Sequence, residues 1–337
     1  MFRCHDSRHP RYSWYTLHFC PSILAREQLS CVNCYNPPTS SRGPHDRTEM
    51  IQYDAHKWSD HLLDIKGSMV REIFGRVTLC VLWAALVCVC DYALRKNNDG
   101  PLGIPEAAHG LIGGVLGLLL VFRTNASYDR FWEGRKLWGA MVNDCRNTAR
   151  MSRTWFADDA RLVHQITEWV AAYPWAVMHR LRGTQGLSPS HLDLDPAEMT
   201  AVISAPHPPL AVARHLSQLF LKGKNQGLIS DIQFVAIDAN LQRLLDYLGG
   251  CERIQNTPMP FAYMVHLRRA LIIYCFSLPF ALLDKYGWGT LLIVLIISYT
   301  MFGIEEIGVE IENPFGSDEN DLPLERLCEM IGRNVRN

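Results

Sequence analysis

Four runs of this chain carry no charged side chain: residues 77–90, 107–122, 270–283 and 288–304. Thr78 and His109 are the polar exceptions in the first two. A membrane-crossing helix takes roughly 20 residues and about 17 at the least. Each run sits at or below that limit, so any one of them reads equally well as a buried helix of a soluble protein. Together they read differently, because they pair as two hairpins around a charged middle. Tyr92, Tyr286 and Trp288 extend them with residues suited to a membrane interface. Four transmembrane helices are therefore expected. Whole-chain averages conceal this: the 337 residues carry a net charge of -1 and are 48% hydrophobic, with a mean hydropathy of -0.03. A near-zero balance argues against a nucleic-acid partner, which calls for a basic face.

The flanks give an orientation. Lys66, Arg71 and Arg76 precede the first run, and Arg123, Arg130, Arg135 and Lys136 follow the second. Arg268 and Arg269 precede the third, and Arg326, Arg333 and Arg336 trail the fourth. The two short hairpin loops hold only Arg95, Lys96 and Lys285. Positive flanks stay on the cytoplasmic (or stromal) side, which places both termini and the middle section there. The resulting division is an N-terminal extension over 1–54, a first hairpin over 55–122, a helical body over 123–262, a second hairpin over 263–304 and an acidic turn with a helix over 305–337. In the body, Leu162, Ile166, Trp169, Val170 and Tyr173 keep helical spacing. Residues 183–209 read as a connection ending in the Pro-rich 205–209. Helices are expected over 210–221 and over 230–248, the latter stopped by Gly249 and Gly250. The fold class is all-α.

The extension holds Cys4, Cys20, Cys31 and Cys34, is rich in Arg and Ser, and is poor in acids. Both an organelle-targeting segment and a disordered cytosolic tail fit it. The Cys31-x-x-Cys34 pair could open a zinc site with His5, His9 or His18, but a second cysteine pair at zinc-finger spacing is missing. No HExxH, GxSxG, P-loop or GxGxxG motif appears, so the chain is not expected to be an enzyme or to require a cofactor. The pairs Asp158–Asp159 and Glu305–Glu306 read as solvated or interfacial acids.

The second run draws attention for its glycines. Gly110, Gly113, Gly114 and Gly117 make two overlapping GxxxG spacings, which let helix backbones approach closely in lipid. Packing inside one subunit and packing around a symmetry axis both fit. Gly114, Leu118 and Phe122 recur every four residues and share a face. A ring of such side chains about an axis would form a dry constriction.

Longer motifs bring in a family. VFRTNASYDRFWEGRKLWGA (121–140), SDI (230–232), GGCERIQNTPMPFAY (249–263) and NPFGSDENDLPL (313–324) resemble the bestrophins, in their bacterial and plant-organelle branch. With the hydropathy, the resemblance covers about residues 55–335. It implies a homopentamer around one axial pore that passes chloride, bicarbonate or other small anions. It implies a neck at Gly114, Leu118 and Phe122 and a cytosolic aperture at Ile232, which would otherwise pass as a core residue. Gly114 departs from the family, which usually has a larger apolar side chain there; a glycine would widen the upper neck or weaken its gate. Glu106 at the outer mouth would repel anions unless paired. His109 is an ionisable group within the membrane, and such groups are functional candidates by default; a satisfied histidine between helices is the plainer reading.

In animal bestrophins an acidic cluster after AsnProPheGly holds calcium. Here Asp318 and Asp321 fall on those positions, and with Asn313 and, just upstream, Glu310 they offer oxygen donors of the kind calcium takes, while Ser317 and Asn320 interrupt the acidic run. A capped turn fits the same residues. The arginines and acids of 123–135 are expected to pair between subunits, with Trp132 and Trp138 anchoring or packing. The expected partners are further copies of the chain, small anions and membrane lipid, with no nucleic acid. The host membrane, chloroplast/thylakoid or plasma membrane, is left open. A non-conducting membrane scaffold and a cation-selective pore of the same build are the alternatives.

Overall fold

The computed structural model describes residues 69–97, 102–187 and 192–337. The N-terminal extension and its Cys31–Cys34 pair lie outside the described residues. Among those described, the chain is helical and contains no strand. In chain order the helices are α1 (Val70–Lys96), α2 (Glu106–Trp155), α3 (Ala160–Arg182), α4 (Pro196–Ile203), α5 (Pro208–Asn225), α6 (Asp231–Asn256), α7 (Phe261–Tyr286), α8 (Thr290–Glu310) and α9 (Leu324–Arg336).

The first three charge-free runs fall within α1, α2 and α7, and the fourth begins in the turn before α8 and continues through that helix. Three helical stretches are long and apolar enough to cross a membrane: Val70–Lys96, Glu106–Trp155 and Phe261–Glu310. The last consists of α7 and α8, joined by one 3-10 turn at Gly287–Gly289. Gly287 adopts φ 52° there, a left-handed conformation that glycine enters without steric cost. In the most apolar window of each stretch, only 33%, 22% and 22% of residues are buried by the chain itself. Exposed apolar surface on that scale needs lipid or another protein surface to cover it.

Two cores result. The apolar helices pack through Ile73, Cys80, Leu120, Leu271, Cys275 and Val294. The second half of α2 joins α3, α5, α6 and α9 around Trp138, Trp169, Tyr173, Phe220, Leu244 and Ile331. Because α2 is a single helix of 50 residues, about 75 Å long at 1.5 Å per residue, one rod belongs to both cores. α9 is clamped to the body by Arg336, which donates to Glu168 at 2.8 and 3.0 Å, and by Glu325, which accepts from Arg182.

Local chemistry departs from expectation in three places. Residues 183–209 contain a helix, α4, whose N-cap Asp195 accepts from the Ala197 N–H at 2.8 Å. Pro208 and Pro209 open α5 instead of excluding it, since a proline in the first turn lacks only an N–H that would find no helical partner. The His207 ring caps that turn, its Nδ1 accepting the Leu210 N–H at 3.3 Å. Finally, α6 runs through Gly249 and Gly250 to Asn256. Gly250 is a packing residue: a Cβ there would lie 2.8 Å from Leu137 Cδ1.

Candidate functional site

The first half of α2 separates its faces sharply. His109, Leu116, Leu120, Arg123 and Ser127 are buried against the chain. Gly114 is exposed, and Leu118 and Phe122 are 55% and 57% exposed. The three expected neck residues thus share a face that turns away from the subunit's own core. The glycines divide the same way. A Cβ on Gly113 would lie 2.5 Å from the Tyr274 Oη of α7, whereas one on Gly110, Gly114 or Gly117 would meet nothing within 4 Å. Gly113 serves packing inside the chain, and the other three leave their surroundings open.

At the amino end, Pro105 precedes α2 and no side chain caps it, leaving first-turn N–H groups that carry about half a positive charge. Glu106 sits on this turn and pairs with Lys285 at 3.3 Å, so its charge is answered. The neighbouring loop is pinned by buried Asp91, which accepts from Arg95 at 2.6 Å and from the Leu102 N–H at 3.3 Å. Arg95 reaches Asp284 as well. Gly103 is held so close to Asp284 that a Cβ would overlap its carboxylate. His109 lies within the core, stacked on Tyr274 at 4.5 Å between ring centroids. Its Nε2 is buried with no hydrogen-bond partner.

At the other end of the apolar segment, charges pair within the chain. Arg123, fully buried, faces Glu312 at 3.3 Å. Arg130 donates to the carbonyls of Ile254 at 2.7 Å, Glu312 at 3.1 Å and Thr257, so one guanidinium closes the carboxyl ends of α6 and α8. Glu133 pairs with Arg253 at 2.5 Å. Of the residues expected to pair between subunits, Arg123, Arg130 and Glu133 find partners in the same chain. Glu305 is 2% exposed, not solvated, and takes Arg268 at 2.8 Å and Arg76 at 3.3 Å, while Glu306 takes Arg76 at 2.5 Å. Trp138 is buried and Trp132 exposed. Asp159 caps α3, accepting the Leu162 N–H at 2.9 Å.

Ile232 is 83% exposed on the first turn of α6, so it is not a core residue. The turn that presents it is a capping box: Ser230 Oγ accepts the Gln233 N–H at 3.4 Å, and Gln233 Oε1 accepts the Ser230 N–H at 2.9 Å. Asp231 beside it pairs with Lys224 at 2.7 Å, and that ammonium holds the Asp231 carboxyl below its ordinary value. Sequence reasoning missed what ties α6 to α2. Asp144 accepts from Arg243 at 2.9 Å and from the Tyr247 hydroxyl at 2.8 Å. Asn240 donates to the Asp144 carbonyl at 2.9 Å and to Thr148 Oγ1 at 2.5 Å. A lone acid in register with Met141, Cys145 and Thr148 was the available signal.

Three of the four expected calcium ligands take part in shaping the turn. Asn313 Oδ1 accepts the Phe315 N–H at 3.4 Å, Asp321 Oδ2 accepts the Asp318 N–H at 2.8 Å, and Glu310 Oε1 accepts from Asn320 at 3.2 Å. Each of those three spends an oxygen on shaping the turn. Among the described residues no group of three or more His, Cys, Asp or Glu side chains is placed to hold a metal ion. As folded, these residues shape a capped turn. Burial, with Asp318 and Glu310 nearby, pushes the Asp321 carboxyl up to about 6 against the opposing effect of the Asp318 N–H.

Over residues 50–337 the chain matches the family model described as Bacterial/Fungal Bestrophin protein. It is 39% identical over 288 residues to a voltage-dependent anion channel-forming protein of Nostoc sp., covering 82% of this chain and 90% of that one. A protein of the same description from Synechocystis sp. is 40% identical over 283 residues, with the same coverage. Among solved structures, a bacterial Bestrophin homolog from Klebsiella pneumoniae superposes with a TM-score of 0.72 at 31% identity, covering 78% of this chain and 97% of that one. From the hydropathy, the long motifs, the helical architecture and these likenesses, the chain belongs to the bestrophin family.

Proposed function

We propose that the chain crosses the membrane four times, assembles as a homopentamer, and forms an axial pore for small anions, chloride first and bicarbonate with it. Gly114, Leu118 and Phe122 of each copy form the neck, and Ile232 forms a second, cytosolic aperture. One observation carries this reading: the face of α2 with Leu118 and Phe122 is turned out of the subunit, and no side chain of the same chain crowds Gly114. A continuous helix that keeps such a face open has it available to an axis. The relatives, named as anion channel-forming proteins, support the choice of ion.

The physics of selection follows from the lining. An apolar neck offers a permeating ion no replacement for its water, so weakly hydrated ions pass at the lowest cost. The chain as a whole is not positive, so the preference for anions is local. It draws on the uncapped amino end of α2 and on Lys285, which offsets Glu106 at the mouth. The test is current across planar bilayers in an asymmetric salt gradient. Reversal near the anion equilibrium potential is expected. Reversal near the cation potential would reassign the ion, and intact oligomers without flux would make the assembly a scaffold.

A further inference from the structure

α2 runs unbroken from Glu106 to Trp155, so the face it presents in its apolar half continues into the half that joins the helical body. At about 3.6 residues per turn, eighteen residues make five whole turns and advance about 27 Å. Residues eighteen apart therefore lie on one line along the rod. On the line of Gly114 come Trp132 and then Arg150, and on the line of Leu118 comes Lys136. Asn125 and Asn143, also eighteen apart, fall between the two lines. All of these residues are exposed, whereas the opposite side of the same stretch, with Trp138, Met141, Cys145 and Ser152, is buried. The open face is thus continuous over both halves of α2, and its chemistry changes along the way. Around Leu118 and Phe122 it is apolar. Further on it carries carboxamides and then bases, with exposed Arg146 on the flank of the Arg150 line. Asp129, about two turns above Lys136, brings one acid to its edge.

The bonds between α2 and α6 fix the level of these bases. Glu133 meets Arg253, Asp144 meets Arg243, and Thr148 meets Asn240, so α6 runs antiparallel beside α2. Ile232 precedes Asn240 by eight residues, which places it about 12 Å further on, near the carboxyl end of α2 and past Arg150. Lys136, Arg146 and Arg150 therefore lie in the interval between Phe122 and Ile232.

We propose that Lys136, Arg146 and Arg150 are specificity-determining residues of the pore: repeated around the axis, they hold small anions between the neck and the Ile232 aperture and set the sign of the permeating ion. The assignment rests on the axial placement of the Gly114, Leu118 and Phe122 face. An apolar neck selects by hydration and not by sign, so the sign has to come from charge elsewhere along the path. Charges of one sign on the walls of a cleft focus the field and raise the local concentration of counter-ions. Salt screens such a field over about 10 Å at 0.1 M, so the preference should be strongest in dilute salt.

The test is made on the full chain in planar bilayers, with potassium chloride at unequal concentrations on the two sides. Lys136→Gln combined with Arg150→Gln removes charge at exposed positions, so the assembled particle should keep its mass. Its chloride-over-potassium permeability ratio should fall several-fold, and more in dilute than in concentrated salt. Lys136→Glu with Arg150→Glu should carry the reversal potential further toward the cation value. Lys136→Arg with Arg150→Lys, which keeps both charges, should restore the ratio. A ratio that stays put in both the Gln and the Glu variants, while Leu118→Ala alters conductance, would leave the neck standing and overturn the role of the bases. An unaltered chain that passes no anion would overturn the axial reading and this proposal with it. Particles that come apart in the Gln variant would mean that the bases join subunits, which overturns the proposal as well.

Discussion

Gly113 and Gly114 are neighbours with opposite obligations. A side chain on Gly113 must displace the Tyr274 ring, which is itself stacked on His109. Gly113→Val should therefore lower thermal stability and oligomer yield. Gly114→Ile meets open space within its own chain and should leave stability intact. It should reduce single-channel conductance, because it puts back bulk at the expected upper neck; unchanged conductance would remove position 114 from the pore. Leu118→Ala and Phe122→Ala should likewise alter gating or rectification without loss of stability. Ile166→Ala, fully buried in the core of the helical body, should cost about 2–5 kcal/mol. Asp321 gives a prediction with a sign. Its folded carboxyl titrates at about 6 against an ordinary 3.8, so the folded turn favours the protonated form. That contribution to stability is complete below pH about 3.8 and is lost as pH rises through about 6. Asp321→Asn keeps an oxygen for the Asp318 N–H. In this variant, unfolding monitored across that window should lose the part of its pH dependence that the carboxyl supplies.

At the scale of elements, the long α2 depends on how its neighbours are fastened to it. Arg130 does this for two helix ends at once through three carbonyls. Lysine offers a compact ammonium in place of a planar fork, so Arg130→Lys should free at least one carbonyl. A loss of about 1 kcal/mol follows for one net hydrogen bond, readable as faster hydrogen exchange at the ends of α6 and α8. The helices themselves were largely legible, because apolar spacing and caps are local properties: α3 follows from Leu162, Ile166 and Tyr173, and the start of α6 from Ser230 and Gln233. Their limits were less so. Gly249 and Gly250 looked like a stop because a glycine pair usually ends a helix, yet Leu137 of α2 needs the space over Gly250. That contact lies more than a hundred positions away in the chain. The same holds for Glu305 and Glu306, whose pairing with Arg76 and Arg268 no local pattern displays.

At the scale of the molecule, the apolar helices bury a core of their own yet leave much of their surface open, since at most 33% of their most apolar windows is covered by the chain. A lone subunit in water would expose a continuous apolar face, so extraction should require detergent. Sizing by light scattering in mild detergent should give a mass of several chains, and a monomeric particle would remove the homopentamer and its axial neck together. By itself the sequence determined that four apolar segments form helices, that a charged helical body joins them, and which family the chain belongs to. These follow from the order of residue types along the chain. Only the tertiary structure decided which face of α2 stays open, that Ile232 is exposed, that Arg123, Arg130 and Glu133 find partners in their own chain, and that Asn313, Asp321 and Glu310 spend oxygens on a turn. The physical reason is common to all four: burial and pairing belong to contacts between distant segments, and no single helix encodes what will pack against it.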